Sequence, residues 1–163
     1  MLVNNQSLER APAYQGLLMW LALCFVVAWF GSRFEPGPWY AGLTKPWWTP
    51  PDWLFGPVWT VLYTLMAIAA WLVWRKAGFR GAPLALGLFL GQLALNGAWS
   101  WLFFGLQQPG WALVDLALLA GVLGAAILAF GAHHPLAARL LVPYLIWVIF
   151  AGMLNYALWR LNP

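Results

Sequence analysis

Charged side chains are scarce in this 163-residue sequence: Asp, Glu, Lys and Arg together make up 7% of it. A soluble domain carries about 25%, and 64% of the residues here are hydrophobic. Because so few polar groups cannot cover a water-facing surface, a soluble globular protein is excluded. We predict an integral membrane protein with one domain, residues 1–163. The net charge of +4 is small and spread over the loops, which argues against nucleic acid as a partner.

Cysteine and histidine are also rare, which excludes two kinds of site. A single cysteine, Cys24, lies inside an apolar run and offers neither a disulfide framework nor a multi-cysteine metal site. The only histidines, His133 and His134, are adjacent, and two adjacent residues do not converge on one metal ion by themselves. No metal site and no required cofactor are predicted. A Ser-His-Asp set and a carboxylate pair are missing too, so hydrolytic chemistry is unsupported.

The sequence does contain five apolar runs of the length that crosses a bilayer. A membrane-spanning helix needs about 20 residues, and the alternation typical of a β-barrel strand is not visible. We place the five helices at about residues 16–34, 53–74, 84–104, 110–131 and 136–159. The predicted fold class is therefore all-α, an integral membrane bundle of five transmembrane helices. A long loop between helices 1 and 2 is predicted to act as a lid.

That loop is the most unusual stretch of the chain. Residues 39–59 read WYAGLTKPWWTPPDWLFGPVW and hold five of the 14 tryptophans together with four prolines. Each proline lacks an N–H group and restricts the residue before it, which disfavours a continuous helix. A long aromatic loop beside membrane segments is typical of an interface or of a cover over a cavity. We interpret residues 39–52 as a movable lid and residues 53–59 as the start of the second helix.

The distribution of basic residues favours one orientation. Five lie on the N-terminal side of the predicted membrane, Arg10, Arg75, Lys76, Arg80 and Arg139, against three on the lid side, Arg33, Lys45 and Arg160. In a bacterial cell membrane, which is the predicted location, this bias places the N-terminus in the cytoplasm.

The third predicted helix carries two stripes about 100° apart. One consists of small residues, which permit close helix contact: Gly87, Gly91, Ala94 and Ala98. It indicates either a homodimer face or tight packing within one bundle. The other stripe contains Gln92, Asn96, Trp99 and Ser100. Amides inside a membrane need partners, so this stripe should point inward, towards a ligand or another helix.

Tryptophans from four helices are predicted to converge near the lid end of the bundle: Trp59, Trp99, Trp111 and Trp147. Tyr63 shares a helix face with Trp59, and Ala151 shares one with Trp147. Tryptophan offers a large apolar face and one N–H group. Several together form a flat, aromatic-walled slot that suits a planar or rigid polycyclic ligand.

Two further features have competing interpretations. Asp115, the only acid within a span, could accept structural hydrogen bonds near a helix start, pair with a base, or line a proton path. Leu154, Tyr156 and Arg160 fit a proposed cholesterol pattern, which is weak evidence. The alternative for these three residues is an ordinary helix end anchored at the membrane interface.

Long motifs in this sequence resemble the translocator protein family (TspO/MBR, formerly the peripheral benzodiazepine receptor). Residues 39–63, WYAGLTKPWWTPPDWLFGPVWTVLY, look like its signature. The similarity continues, in order, in GQLALNGAWSWLFFG, GWALVDL, PLAARLLVPYLIW and LNYALWR, and covers about four-fifths of the chain. One departure is Gly97, where some members have a large aromatic residue; the smaller residue would widen the site or loosen a helix contact.

The resemblance implies five transmembrane helices around a pocket closed by the first long loop. It implies binding of porphyrins or haem precursors, of sterols, which animal members bind, and of synthetic isoquinoline carboxamides and benzodiazepines. The pocket positions carried over are Trp39, Trp59, Asn96, Trp99, Trp111, Trp147, Ala151 and Leu154, and the sterol motif maps to Leu154, Tyr156 and Arg160.

Two functions remain open at this point. The first is a receptor or transporter that binds a tetrapyrrole or sterol, with a role in tetrapyrrole handling or stress regulation and with no catalytic group. The second is an enzyme-like, light-dependent oxidation of bound porphyrin, for which Trp59 and Trp147 are the candidate catalytic residues.

Overall fold

The computed structural model describes residues 13–34 and 36–163 and shows an α-helical chain. The predicted polar N-terminal segment, including Arg10, and Glu35 lie outside the described residues. The helices are α1 (Ala13–Ser32), α2 (Pro38–Gly42), α3 (Asp52–Gly81), α4 (Pro83–Ser100), α5 (Pro109–His133) and α6 (Pro135–Leu161). A π-helical turn, Trp101–Gly105, continues α4.

Four of these helices, α1, α3, α5 and α6, are long and apolar enough to cross a membrane. The chain is thus a multi-pass membrane protein. In α4 the apolar character is diluted by Gln92 and Asn96, which are both buried. Buried amides face the bundle and not the lipid, so they do not argue against a span at α4; the fifth span stays a prediction.

Proline sets the start of four helices. Pro38, Pro83, Pro109 and Pro135 are the first residues of α2, α4, α5 and α6. The first N–H groups of a helix have no partner within it, so a residue without an N–H costs nothing there, and its fixed φ suits the helix. These four prolines therefore mark where helices begin and do not interrupt them.

The end of α3 differs from the prediction. The second helix was predicted to end at about residue 74, but α3 continues to Gly81 with a kink at Gly78, whose φ of +65° is one that glycine adopts readily. Arg75 and Lys76, which precede the kink, are therefore part of the helix. Lys76 Nζ donates a hydrogen bond of 2.6 Å to the carbonyl of His133, the last residue of α5.

The connecting segment, residues 33–51, joins α1 to α3 and is not wholly irregular. The short helix α2 occupies its first part. Pro57 lies inside α3 near its start, in residues 53–59, which were interpreted as the start of the second helix. The bundle packs α5 between α4 and α6, α1 against α3 and α4, and α3 against α6. Met66, Phe89, Leu123 and Tyr144 are fully buried at its centre.

Candidate functional site

A cavity of about 520 Å³ lies between α1, α3, α4 and α6, beneath the connecting segment. Its wall is largely aromatic. The aromatic residues that line it are Phe25, Trp29, Tyr40, Phe55, Trp59, Tyr63, Trp99, Phe103, Phe104, Trp147 and Phe150. Pockets for small ligands are typically 300–1,000 Å³, mostly apolar, with a few polar groups, and this cavity has those properties.

Seven of the nine predicted ligand-binding residues line the cavity: Trp59, Tyr63, Asn96, Trp99, Trp147, Ala151 and Leu154. Trp59 and Trp147 meet edge to face with ring centroids 6.4 Å apart. Phe55 packs against the other side of Trp147 at 5.8 Å. The start of α3 and the middle of α6 are therefore joined by aromatic contacts that also form one wall.

Two predicted residues do not line the cavity. Trp39 is half-buried and packs edge to face on Phe103, with centroids 5.6 Å apart, so it supports a lining residue from behind. Trp111 is 66% exposed. The buried face of α5 is centred on Ala112 and Leu116, and Trp111 lies beyond its edge. The expected convergence of four tryptophans thus leaves Trp111 outside.

Several lining residues were missed by the sequence analysis. Phe25 and Trp29 come from α1, which had been assigned no part in the pocket, and Phe103 comes from the π-helical turn. The spacing of four residues between Phe25 and Trp29 places them on one face of a helix. That spacing was a signal, but it does not by itself separate a cavity wall from a lipid-facing side.

An amide network forms the floor of the cavity. The hydroxyl of Tyr63 donates to Asn96 Oδ1, and Asn96 Nδ2 donates to the hydroxyl of Tyr144 at 2.6 Å. All three side chains are at least 94% buried. Since buried polar groups need partners, Asn96 fixes the positions of both phenols and joins α3, α4 and α6.

A second amide orients Trp99. The indole N–H of Trp99 donates to Asn155 Oδ1 at 3.2 Å, and Asn155 Nδ2 donates to the carbonyl of Pro109 at 2.7 Å. The Trp99 ring stacks on Phe103 with centroids 5.4 Å apart. This chain of contacts holds the indole face in a fixed direction along the wall.

The connecting segment contributes Pro36 and Tyr40 to the cavity lining, and α3 contributes its first residue, Asp52. Tyr40 is buried against Phe104, with centroids 5.5 Å apart. Burial, and secondly the charge of Asp52, raise the pKa of the Tyr40 phenol above its ordinary value, so it is neutral at physiological pH. Trp47, by contrast, is 95% exposed.

The connecting segment is held at further points. Trp48 packs edge to face on Phe150 of α6, with centroids 5.8 Å apart. The backbone of Thr44 forms two hydrogen bonds with the side chain of Asn162, which follows the end of α6. A lid function for this segment stays a prediction.

The three residues of the sterol pattern do not share one site. Leu154 is buried and lines the cavity, whereas Tyr156 is 52% exposed and Arg160 is exposed as well. On a helix, positions 156 and 160 lie about 40° apart, and both are far around from 154. Tyr156 and Trp159 contact each other on the outer surface, with centroids 6.5 Å apart.

The small-residue stripe of α4 faces outward. Gly87, Gly91 and Ala94 are exposed and Ala98 is half-buried. A Cβ added at Gly87 would meet no atom within 4 Å, so tight packing within the bundle does not explain that glycine. Asp115, in contrast to this stripe, is buried. Its Oδ2 has no hydrogen-bond partner among the described residues.

Comparison with known proteins agrees with this architecture. The TspO/MBR family model matches residues 20–160. The chain is 52% identical to the translocator protein of Homo sapiens over 144 residues, which cover 85% of this chain and 83% of the human protein. It is 44% identical to the tryptophan-rich protein TspO of Archaeoglobus fulgidus (90% and 94% covered). It is 40% identical to the tryptophan-rich sensory protein of Cereibacter sphaeroides (89% and 90% covered). With matches of this extent, the chain belongs to the TspO/MBR family.

Proposed function

We propose that this protein is a membrane receptor or transporter that binds a porphyrin in the aromatic cavity, in a tetrapyrrole-handling or stress-regulating role. The observation that carries the proposal is a cavity of about 520 Å³ whose wall contains eleven aromatic side chains. Flat aromatic faces stack on a planar macrocycle and gain from apolar burial. A sterol, which is rigid but not aromatic, is the second ligand class.

The two amide side chains of the cavity wall suit this role because they already have hydrogen-bond partners. Asn96 and Asn155 are engaged by other side chains and the backbone. The wall is therefore preorganised, and ligand binding does not have to order it. The connecting segment would act as the lid, since Tyr40 already lines the cavity and is held by Phe104.

Titration with protoporphyrin IX in the dark tests the binding proposal. Saturable quenching of tryptophan fluorescence is expected, and Trp147→Phe should weaken binding because it removes part of one wall. Trp111→Phe is the matched control, since Trp111 lies outside the cavity. Binding no tighter than that of an unrelated membrane protein of similar size would overturn the proposal.

A second candidate function is light-dependent oxidation of bound porphyrin. It is favoured by one observation: the oxidisable rings of Trp59 and Trp147 both line the cavity and lie 6.4 Å apart. Excited porphyrin and dioxygen would supply the chemistry, and the protein would supply position. Illumination should then convert bound porphyrin to a new product, and the double variant Trp59→Phe, Trp147→Phe should bind but not convert it. Equal conversion by free porphyrin in detergent would exclude this function.

We also propose that the outward stripe on α4 forms a homodimer contact and that the N-terminus is cytoplasmic. The exposed backbone at Gly87 and Gly91 allows a second helix to approach closely. Gly87→Leu should then lower the dimer fraction in light scattering. Labelling of cysteines introduced at either terminus of the intact chain tests the orientation.

A further inference from the structure

The cavity is poor in positive charge. Asp52 is the one charged residue that lines it, and no Lys, Arg or His belongs to the described residues of the wall. Burying a carboxylate without a cationic or hydrogen-bonding partner is costly. A ligand with carboxylate groups should therefore insert its apolar part and keep those groups at the mouth.

Two cations stack on aromatic residues of the wall. The guanidinium of Arg33 lies over the Trp29 ring, 5.7 Å from its centroid, and Lys45 Nζ lies 4.6 Å from the Tyr40 centroid. Both rings line the cavity, so each cation lies next to a side chain of the wall without lining the cavity itself. Arg33 also directly follows Ser32, another lining residue, at the end of α1.

The two cations are not equally available to a ligand. Lys45 Nζ is directed towards the carbonyl of Ala41 at 3.4 Å. Arg33 is exposed and presents a planar, forked set of donors, which matches a carboxylate in two parallel hydrogen bonds.

We propose that Arg33 determines ligand specificity by binding a carboxylate of the ligand at the cavity mouth. The preferred ligand class is then a rigid apolar polycycle that carries at least one carboxylate, chosen over neutral polycycles of the same shape. The stack on Trp29 holds the guanidinium plane in place and lowers the entropy lost on binding. This inference rests on the proposed function, because it concerns the same cavity.

The test compares protoporphyrin IX with its dimethyl ester, which has the same macrocycle without the negative charges. Both are titrated in the dark, in an uncharged detergent, into wild type, Arg33→Gln, Arg33→Lys and Arg75→Gln. Arg75 is the matched control, since its guanidinium also stacks on a tryptophan, Trp71, at 5.1 Å but near the other end of α3.

Wild type should bind the free acid more tightly than the ester. Arg33→Gln should weaken binding of the acid about 1.5-fold to fivefold, as expected for an exposed charge pair, and leave the ester unchanged. Arg33→Lys should retain part of the preference because it keeps the charge and loses the fork. Arg75→Gln should change neither affinity, and thermal unfolding should confirm that all variants fold.

The outcomes separate the two proposals. Equal affinity of wild type for acid and ester, or equal weakening of both by Arg33→Gln, would overturn the role of Arg33 and leave porphyrin binding intact. Failure of wild type to bind either compound saturably would overturn the proposed function and this inference with it.

Discussion

Replacing Asn162 with alanine should release the middle of the connecting segment from α6. Asn162 Oδ1 accepts the Thr44 N–H at 2.9 Å, and Asn162 Nδ2 donates to the Thr44 carbonyl at 3.0 Å. The second hydrogen of Nδ2 goes to the carbonyl of Leu158 at 2.8 Å. One side chain thus joins two regions 118 residues apart in sequence, and alanine removes every one of these hydrogen bonds.

The size of the effect follows from the two hydrogen bonds to Thr44. Each neutral hydrogen bond contributes about 0.5–1.5 kcal/mol net. Because both are exposed to solvent, we expect about 1–2 kcal/mol together, or roughly a 5- to 30-fold rise in local opening. The ring contacts of Tyr40 and Trp48 remain, so the segment should loosen without detaching.

Hydrogen–deuterium exchange of the purified protein measures this opening, with peptides that cover residues 41–48. Asn162→Asp is a sharper variant, since it keeps an acceptor for Thr44 N–H but sets a carboxylate against two carbonyl oxygens, and its exchange should also be faster. Gln108→Ala, at an exposed amide elsewhere, is the control and should have no effect. Unchanged exchange in both Asn162 variants would refute the reasoning and leave the aromatic contacts as the only restraint.

Three further predictions concern other parts of the chain. Gly16→Ala should lower the unfolding temperature, because its Cβ would lie 2.3 Å from the Trp74 ring. Gly121→Ala should raise the unfolding temperature, because no atom lies within 4 Å of its Cβ and alanine favours a helix over glycine by up to about 1 kcal/mol. Equal shifts in the two variants would contradict this. Asn96→Ala should lower the free energy of unfolding by about 1–2 kcal/mol, because the two buried phenols of Tyr63 and Tyr144 lose their shared partner. Unchanged thermal unfolding would show that the network is dispensable. A spin label at Trp47, which is 95% exposed, should become less mobile when protoporphyrin IX binds; equal mobility in both states would argue against a lid that orders on binding.

The sequence was sufficient to identify a helical membrane protein because the relevant signal is strong. Apolar runs of about 20 residues, separated by prolines, have few other interpretations. Helix ends were less predictable. Arg75 and Lys76 lie beyond the predicted end of the second helix at residue 74, yet α3 continues past them, and its regular part is interrupted only at Gly78, which has a positive φ. Glycine permits a positive φ but does not require it, so the local sequence does not fix where such a helix ends.

The inward direction of each helix was harder to predict than its length. In a soluble helix an apolar stripe marks the core, but here both the bundle and the lipid face are apolar, so the stripe is lost. Phe25 and Trp29 line the cavity and Trp53 does not, and nothing in residue type separates them. This ambiguity explains why α1 was overlooked as a wall.

Polar side chains were the better indicators, because an unpartnered amide in hydrocarbon is costly. Asn96 and Asn155 are both buried, and Trp99, three residues after Asn96, faces the cavity as expected. Asp115 is buried too, yet Trp111, four residues before it and only about 40° around the helix, is on the outside. Asp115 lies at the edge of the buried face of α5, so a small rotation decides the position of its neighbour. Sequence patterns therefore indicate the inner side of such helices only to within about one residue's rotation. The residues of a cavity wall can be assigned only once the packing of the helices is known.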